Sequence, residues 1–173
     1  KEIYGPEDLQ GKDFNRDIGK AGEFPFTRGI YPNMYRGKYW TRREVSGFGT
    51  GKDTNERLKF QIREGASGLS VILDVLGSLG LDADHPRSKN EIGVQGVNYT
   101  SLTDMLDITE GLPLDKITMS FNISQSPTVS VVLAAYILAA EKQGIAMNSL
   151  RGTTQNDFLH RRYYAFRPSV PID

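Results

Sequence analysis

Cationic and aromatic side chains alternate in the segment between residues 27 and 48, where the sequence first offers groups that bind a ligand. Its five cations are Arg28, Arg36, Lys38, Arg42 and Arg43, and its single acid is Glu44. The interleaved aromatic residues are Tyr31, Tyr35, Tyr39, Trp40 and Phe48. Because cations bind phosphates and aromatic rings stack on bases, this composition suits a nucleotide-bearing ligand or a single-stranded nucleic acid. The alternative is a solvated loop that is held in place by packing of its aromatic rings. Composition alone does not decide between a binding segment and such a loop.

A second pattern is the strict alternation of polar and apolar residues over 117–124. Thr118, Ser120, Asn122 and Ser124 fall on one side of the predicted strand, with apolar residues on the other. Polar side chains in a buried parallel sheet need partners, so they either bond within the sheet or line a ligand channel. The polar run 153–156 lies at the end of the next predicted strand. Because β/α folds bind ligands at the carboxyl ends of their strands, we favour the channel.

The remaining chemical candidates are weaker. His85, in the run DADHP, is either a metal ligand beside two acids or part of a turn capped by Asp84; the turn is favoured. His160 adjoins two arginines and is interpreted as a surface residue. The chain has no cysteine, which excludes disulfides, zinc–thiolate sites, iron–sulfur clusters and a cysteine nucleophile. The sequence contains no P-loop, GxGxxG or GxSxG motif.

The elements that must position these residues alternate between helix and strand. Helices are predicted from Asp53 or Thr54 to Glu64, from Thr100 or Ser101 to Glu110, from Ser126 to Gln143, and from Asn156 or Asp157 onward. Strands are predicted over 69–75, 117–124 and 150–154, and residues 77–99 form a long loop with a short strand near 94–99. This order predicts an α/β fold with a parallel sheet and right-handed crossovers.

Length and charge narrow the class of protein. The chain has 173 residues, with 21 basic and 21 acidic ones, so bulk charge does not favour nucleic acid. Its start lacks the apolar core of a signal peptide, and its longest apolar run, 131–140, is too short to cross a bilayer. We therefore predict a soluble, cytoplasmic protein. A closed eight-stranded β/α barrel needs about 250 residues, so we expect one piece of a larger polypeptide.

Five long motifs then occur in a family-specific order: FPFTRGIYPNMYRGKYWTRREVSGFGT, GLSVILD, LDADHP, GLPLDKITMS and LRGTTQND. Over residues 22–168 the chain resembles the large catalytic chain of the methylmalonyl-CoA mutase family. The resemblance implies a mutase that uses adenosylcobalamin to rearrange acyl-CoA thioesters through radicals. It also implies the first half of a (β/α)8 TIM-type barrel, over residues 27–173, preceded by an extended arm over 1–26. The cobalamin-binding domain is absent from this sequence.

The resemblance also implies roles for individual residues. The CoA nucleotide and phosphates would contact Tyr31, Asn33, Met34, Lys38, Thr41 and Arg43. The pantetheine path would be lined by Ser70, Thr118, Ser120 and Asn122, with Thr153 and Gln155 near the acyl group. Gln155 and Arg162 are the predicted catalytic residues, Arg162 by pairing with a substrate carboxylate. The partners implied are an acyl-CoA, the rest of the barrel, a cobalamin-binding domain or subunit and other copies in an oligomer, with neither nucleic acid nor membrane.

Several positions depart from the family pattern. Val45 stands where methylmalonyl mutases have a tyrosine and isobutyryl mutases a phenylalanine, and Leu73 replaces another phenylalanine. Both positions face the cofactor side in the family, so aliphatic residues there predict room for a bulkier acyl group. Because the resemblance pairs Arg162 with a substrate carboxylate, we predict a methylmalonyl-CoA-like or longer carboxyacyl substrate. The alternatives are a mutase of an uncarboxylated branched acyl-CoA such as isobutyryl-CoA, and a non-catalytic module that binds CoA or RNA.

Overall fold

The computed structural model describes residues 2–74, 76, 81–122 and 126–155, which form two compact units, Lys1–Trp40 and Thr41–Asp173. The first unit has a 3-10 turn at Pro6–Leu9, a π-helical turn at Phe14–Ile18 and the short helix α1 at Met34–Gly37. Its described aromatic residues are exposed, and all residues of the hydrophobic core lie in the second unit. The predicted arm therefore contains helical turns, and its boundary after residue 26 stays a prediction.

A four-stranded parallel sheet organises the second unit. Its strands are β1 (Arg43–Ser46), β2 (Gly68–Ile72), β3 (Thr118–Asn122) and β4 (Gly152–Thr154), in the spatial order β1-β2-β3-β4. The predicted α/β class and parallel sheet are confirmed, and the arrangement is consistent with the N-terminal part of a (β/α)8 barrel. The sequence did not predict β1, because three of its four residues are polar.

Three helices connect or flank these strands: α2 (Gly51–Arg63), α3 (Leu102–Thr109) and α4 (Ser126–Lys142). The predicted start of α2 at Asp53 or Thr54 is wrong. Thr50 caps the helix, accepting a hydrogen bond from the Asp53 backbone N–H at 3.3 Å, while the Asp53 carboxylate accepts one from the Thr50 N–H at 2.8 Å. The Thr50 hydroxyl also donates to the Asp53 carboxylate at 2.7 Å, and this bond together with the one from the Thr50 N–H lowers the pKa of Asp53. Ser101 caps α3 with Asp104, as predicted.

The helices cover one face of the sheet. Leu69 and Val71 of β2 and Met119 and Phe121 of β3 are buried among apolar side chains of the helices. The helix residues in that core include Leu58, Met105, Ile108, Val132 and Ala139. Because successive side chains of a strand point to opposite faces, the residues between these apolar ones lie on the face away from the helices. The alternation predicted for residues 117–124 is therefore confirmed over the described residues of β3.

The long loop before α3 is mostly irregular. The predicted strand near 94–99 reduces to a single bridge between Leu73 and Val97. A 3-10 turn at Pro86–Ser88 is capped by His85, whose Nδ1 accepts a hydrogen bond from the Arg87 N–H at 3.1 Å. The predicted turn is thus present, but its cap is His85 and not Asp84. Among the described residues, no cluster of side chains suited to a metal ion occurs. Nor does any described helix have the length and apolarity to cross a bilayer.

Candidate functional site

The face of the sheet that turns away from the helices carries the predicted binding residues in three rows. The strand register pairs Arg43 with Gly68 and Gly68 with Thr118 in the first row. The second row is Val45, Ser70, Ser120 and Thr153, and the third pairs Ile72 with Asn122. We call these residues together the open face. The structure therefore brings together seven residues that the sequence assigned to the site: Arg43, Val45, Ser70, Thr118, Ser120, Asn122 and Thr153.

Hydrogen bonds link the polar side chains of the open face from strand to strand. Ser120 Oγ and Thr153 Oγ1 lie 2.7 Å apart, and Ser70 Oγ donates to Asn122 Oδ1 at 3.4 Å. Arg43 Nη2 donates to Thr118 Oγ1. These bonds satisfy the sheet internally, which is one of the two interpretations left open by the sequence. A hydroxyl has one donor and two acceptor positions, so the same side chains keep capacity for a ligand.

Positive charge on the open face comes from Arg43. The neighbouring Arg42 points to the other side, where its Nη2 lies 3.5 Å from Glu44 Oε1 and its Nη1 donates to the Glu64 carbonyl at 2.6 Å. Glu44 also lies 3.9 Å from Nη2 of Arg57. Within the described part of the chain, no carboxylate pairs with Arg43. Its guanidinium therefore keeps donors for an anionic ligand.

The carboxyl-terminal end of the open face combines apolar and amide side chains. Val45 exposes 60% of its surface, and Ile72 of the third row is also partly accessible. Gln155 is exposed just beyond β4, and its backbone N–H donates to the Phe121 carbonyl at 3.0 Å. Gln155 comes two residues after Thr153, so alternation directs it to the same side of the sheet. Ile72 and the amides of Asn122 and Gln155 therefore lie at the end where strands of β/α folds bind ligands, with Val45 one row before them.

The other predicted site residues fall elsewhere. Leu73 is only 2% exposed and belongs to the hydrophobic core, and its predicted contact with a cofactor stays a prediction. Arg162 lies outside the described residues, as do Asn156 and His160. Thr41 precedes β1 in the second unit, near the first row of the open face.

Four predicted nucleotide-binding residues belong to the first unit, and they surround its short helix. Tyr31 is exposed, Asn33 and Met34 begin α1, and Lys38 follows it. The neighbouring aromatic residues form a cluster: the ring centroids of Tyr35 and Tyr39 lie 5.6 and 6.0 Å from that of Trp40, nearly perpendicular to it. The exposed rings of Tyr35, Tyr39 and Trp40 are thus close together, and Arg36 and Lys38 are their neighbours in sequence.

A cavity of about 280 Å³ lies on the helix-covered side, between α4 and β4, with Leu133, Leu150 and Thr154 in its wall. Tyr136 also lines it, and its hydroxyl is buried without a hydrogen-bond partner among the described residues. Burial raises the pKa of Tyr136 to about 12. Nothing in the sequence predicted this cavity, because its walls come from elements whose packing only the fold defines.

Comparison with known proteins decides the family. The family model described as "Methylmalonyl-CoA mutase" matches residues 1–170. The chain belongs to the methylmalonyl-CoA mutase family. Among family members, the 2-hydroxyisobutanoyl-CoA mutase large subunit of Aquincola tertiaricarbonis is 44% identical over 162 residues, which are 90% of this chain and 28% of that protein. The methylmalonyl-CoA mutase large subunit of Streptomyces virginiae is 39% identical over 172 residues, 97% of this chain and 23% of that protein.

A mammalian member of the methylmalonyl-CoA mutase family shows the same extent of similarity. The mitochondrial methylmalonyl-CoA mutase of Bos taurus is 39% identical over 172 residues, which cover 97% of this chain and 22% of that protein. The chain therefore spans about a quarter of the length of these relatives. The family resemblance drawn from the five sequence motifs is confirmed.

Proposed function

We propose that this chain forms the acyl-CoA-seating part of an adenosylcobalamin-dependent acyl-CoA mutase, an isomerase that rearranges the carbon skeleton of a thioester. The observation that carries the proposal is the alignment of Arg43, the Ser70–Ser120–Thr153 row and Asn122 along one face of a parallel sheet. The first and third rows are four residues apart, or about 13 Å along the strands. A linear ligand lying along the sheet contacts all three rows.

The chemistry of the rows supports a CoA thioester as that ligand. Arg43 has free donors for a phosphate at the amino-terminal end, since Glu44 pairs instead with Arg42 and Arg57. The hydroxyl side chains of the second row and the amide of Asn122 both donate and accept hydrogen bonds. They therefore match the amide groups of a pantetheine arm, which do the same. The family resemblance also assigns contacts with the CoA nucleotide to Tyr31, Asn33, Met34, Lys38 and Thr41.

The acyl group would then lie at the carboxyl-terminal end, near Gln155 and Val45. The exposed amide of Gln155 can orient the thioester by hydrogen bonding, while Val45 supplies an open apolar surface for the acyl chain or for a corrin. Bound adenosylcobalamin supplies the radical chemistry, and a domain or subunit outside this chain would hold most of it. The protein's part is to orient the thioester and exclude water from the site.

Two substrate classes follow from different observations. The predicted pairing of Arg162 with a substrate carboxylate favours a carboxyacyl-CoA such as methylmalonyl-CoA, and the absence of an aromatic side chain at Val45 favours a longer alkyl relative of it. The Aquincola relative is named for 2-hydroxyisobutanoyl-CoA, an acyl group without a free carboxylate, and this favours an uncarboxylated branched substrate as the second candidate.

The deciding experiment uses the whole protein that contains this chain, mixed with adenosylcobalamin and its cobalamin-binding partner. A panel of carboxylated and uncarboxylated acyl-CoA thioesters is supplied, and isomerised thioester is measured by mass spectrometry. We expect turnover of a carboxylated acyl-CoA that Arg162→Ala reduces selectively. Turnover of uncarboxylated substrates alone would support the second candidate, and no turnover with any thioester would overturn the proposed activity.

The same preparation tests a non-catalytic CoA- or RNA-binding role. RNA held through its phosphates would bind with an affinity that falls steeply as salt rises, because bound counterions are released. An acyl-CoA buried along the sheet should depend less on salt and show a negative heat-capacity change of binding. Calorimetry at two salt concentrations and two temperatures therefore separates the two ligands.

A further inference from the structure

Gly68, the first residue of β2, lies between two predicted ligand contacts. It is paired with Arg43 on one side and with Thr118 on the other. Its backbone lies outside the left-handed region, so conformation alone does not require glycine at this position. The reason for a residue without a side chain must therefore lie in what surrounds it.

Three side chains occupy the space that a side chain at residue 68 would need. A Cβ built there would lie 2.7 Å from Thr118 Oγ1, 2.7 Å from Thr41 Cγ2 and 2.9 Å from Arg43 Nε. The chain of Arg43 crosses above Gly68, and its Nη2 donates to Thr118 Oγ1 on the far strand. Since neighbouring strands are about 4.8 Å apart, Arg43 spans roughly twice that distance because β2 has no side chain in its way.

We propose that Gly68 is a positioning residue for Arg43, and that the gap it leaves holds the guanidinium between β1 and β3 for the phosphate end of a CoA ligand. The inference rests on the proposed function and extends it to a residue that does not itself touch the ligand. Arg43 would otherwise sample many rotamers on an exposed edge strand, and fixing it before binding lowers the entropy lost on binding. Thr118 fixes the far end of the same side chain.

The first test is Gly68→Ala in the whole protein, with coenzyme A and pantetheine as calorimetric probes. We expect the Kd for coenzyme A to rise about tenfold or more, as for the loss of a charged hydrogen bond. The Kd for pantetheine, which has no phosphate, should change less than about twofold, within the error of additivity. A purely structural role for Gly68 would weaken both probes alike, and that result would overturn the proposal.

A double-mutant cycle tests whether Gly68 acts through Arg43. Arg43→Ala should weaken coenzyme A as Gly68→Ala does, and the double variant should be no weaker than Arg43→Ala by more than about twofold. Fully additive losses would contradict the proposal. Val71→Ala provides the matched control, because Val71 lies on the same strand in the core on the opposite face. That variant should lower stability and leave the Kd for coenzyme A unchanged.

Thr118→Val keeps the test decisive if Gly68→Ala does not fold. This change preserves the shape of the side chain and removes the acceptor that holds Arg43. Because Thr118 is itself a predicted pantetheine contact, we expect both probes to bind less tightly, coenzyme A by a larger factor than pantetheine. Equal factors for the two probes, or an unchanged affinity for coenzyme A, would overturn the positioning role. If the unmutated protein binds neither probe, the proposed function itself fails, which is a different result from any of these.

Discussion

Val45 of β1 and Ser70 of β2 are paired in the parallel register, yet Val45 is 60% exposed and Ser70 only 5%. The difference arises because Ser70 has a strand on each side, whereas Val45 has β2 on one side only. A side chain at position 45 therefore extends over the open face without displacing a neighbour. This makes position 45 suited to setting the size of the acyl group.

We expect Val45→Tyr to narrow the substrate range toward small acyl groups, because the tyrosine ring would occupy space over the open face beside Ser70. The measurement is the ratio of kcat/KM for a long-chain and a short-chain acyl-CoA. Val94→Tyr is the matched control, since Val94 has a similar exposure of 62% but lies in the loop before α3. An unchanged ratio in Val45→Tyr, or the same change in both variants, would contradict the assignment.

Two adjacent arginines allow a second matched comparison. Arg43→Ala should weaken coenzyme A binding by about tenfold or more, because a charged hydrogen bond to phosphate contributes roughly 1.5–3 kcal/mol. Arg42→Ala removes an equal charge from the opposite face, where Arg42 contacts Glu44 and the Glu64 carbonyl. We expect little effect on the Kd in that variant. Equal losses would mean that net charge, and not the position of Arg43, determines affinity.

Asn55 tests how α2 is fixed to α3. Its buried amide nitrogen donates to the carbonyls of Ile108 at 2.9 Å and Glu110 at 3.0 Å. Asn55→Ala leaves these carbonyls without that donor, and we expect the free energy of unfolding to fall by about 1–3 kcal/mol. Urea denaturation measures the change. Asn148→Ala, at an exposed position, should stay within about 0.5 kcal/mol of the unmutated chain, and a comparable loss there would refute the explanation.

We expect the buried hydroxyl of Tyr136 to make the free energy of unfolding depend on pH in the alkaline range. Burial raises its pKa from 10.0 to about 12, so between these values the unfolded chain loses the tyrosine proton while the folded chain keeps it. The free energy of unfolding therefore decreases as pH rises through this range, and Tyr136 contributes no such slope below the lower value.

The comparison with Tyr136→Phe isolates this effect. Phenylalanine keeps the ring contact with Phe121, whose centroid lies 5.3 Å away, and removes a buried hydroxyl that has no described partner. We expect the variant to be no less stable at neutral pH, because an unpaired buried hydroxyl costs free energy. Denaturant unfolding on both sides of pH 10 should show a smaller alkaline loss in the variant, and identical slopes would exclude Tyr136 as the source. Burial also raises the pKa of Tyr99, which both proteins share.

The sequence predicted those elements whose own residues carry the signal. The alternation around Thr118 and the cap at Ser101 are local features, and both are present in the structure. Strand β1 was missed because Val45 is its one apolar residue, and its extended backbone depends on pairing with β2. The cap of α2 was misplaced because Thr50 lies among glycines, where the sequence shows no apolar period.

The candidate site was predictable as a set of residue types but not as an arrangement. Alternation within one strand assigns Ser120 to a face, but the register between strands follows from packing of the whole sheet. Only the register reveals that Arg43 and Thr118 meet across Gly68. A glycine in an ordinary strand conformation gives no signal in a single sequence, because its importance lies in its neighbours.

The sheet has the same strand order as the chain, and this has a consequence for biosynthesis. β2, β3 and β4 each pair with the strand translated immediately before them. The neighbour of each new strand is therefore already present when that strand leaves the ribosome. Among the described strands, β2, β3 and β4 can therefore each pair as soon as they are made, which favours stepwise growth of this part of the sheet. β1 and the most recently added strand are then the two exposed edges at each stage, so chaperones that shield nascent chains would have one fixed edge and one moving edge to protect.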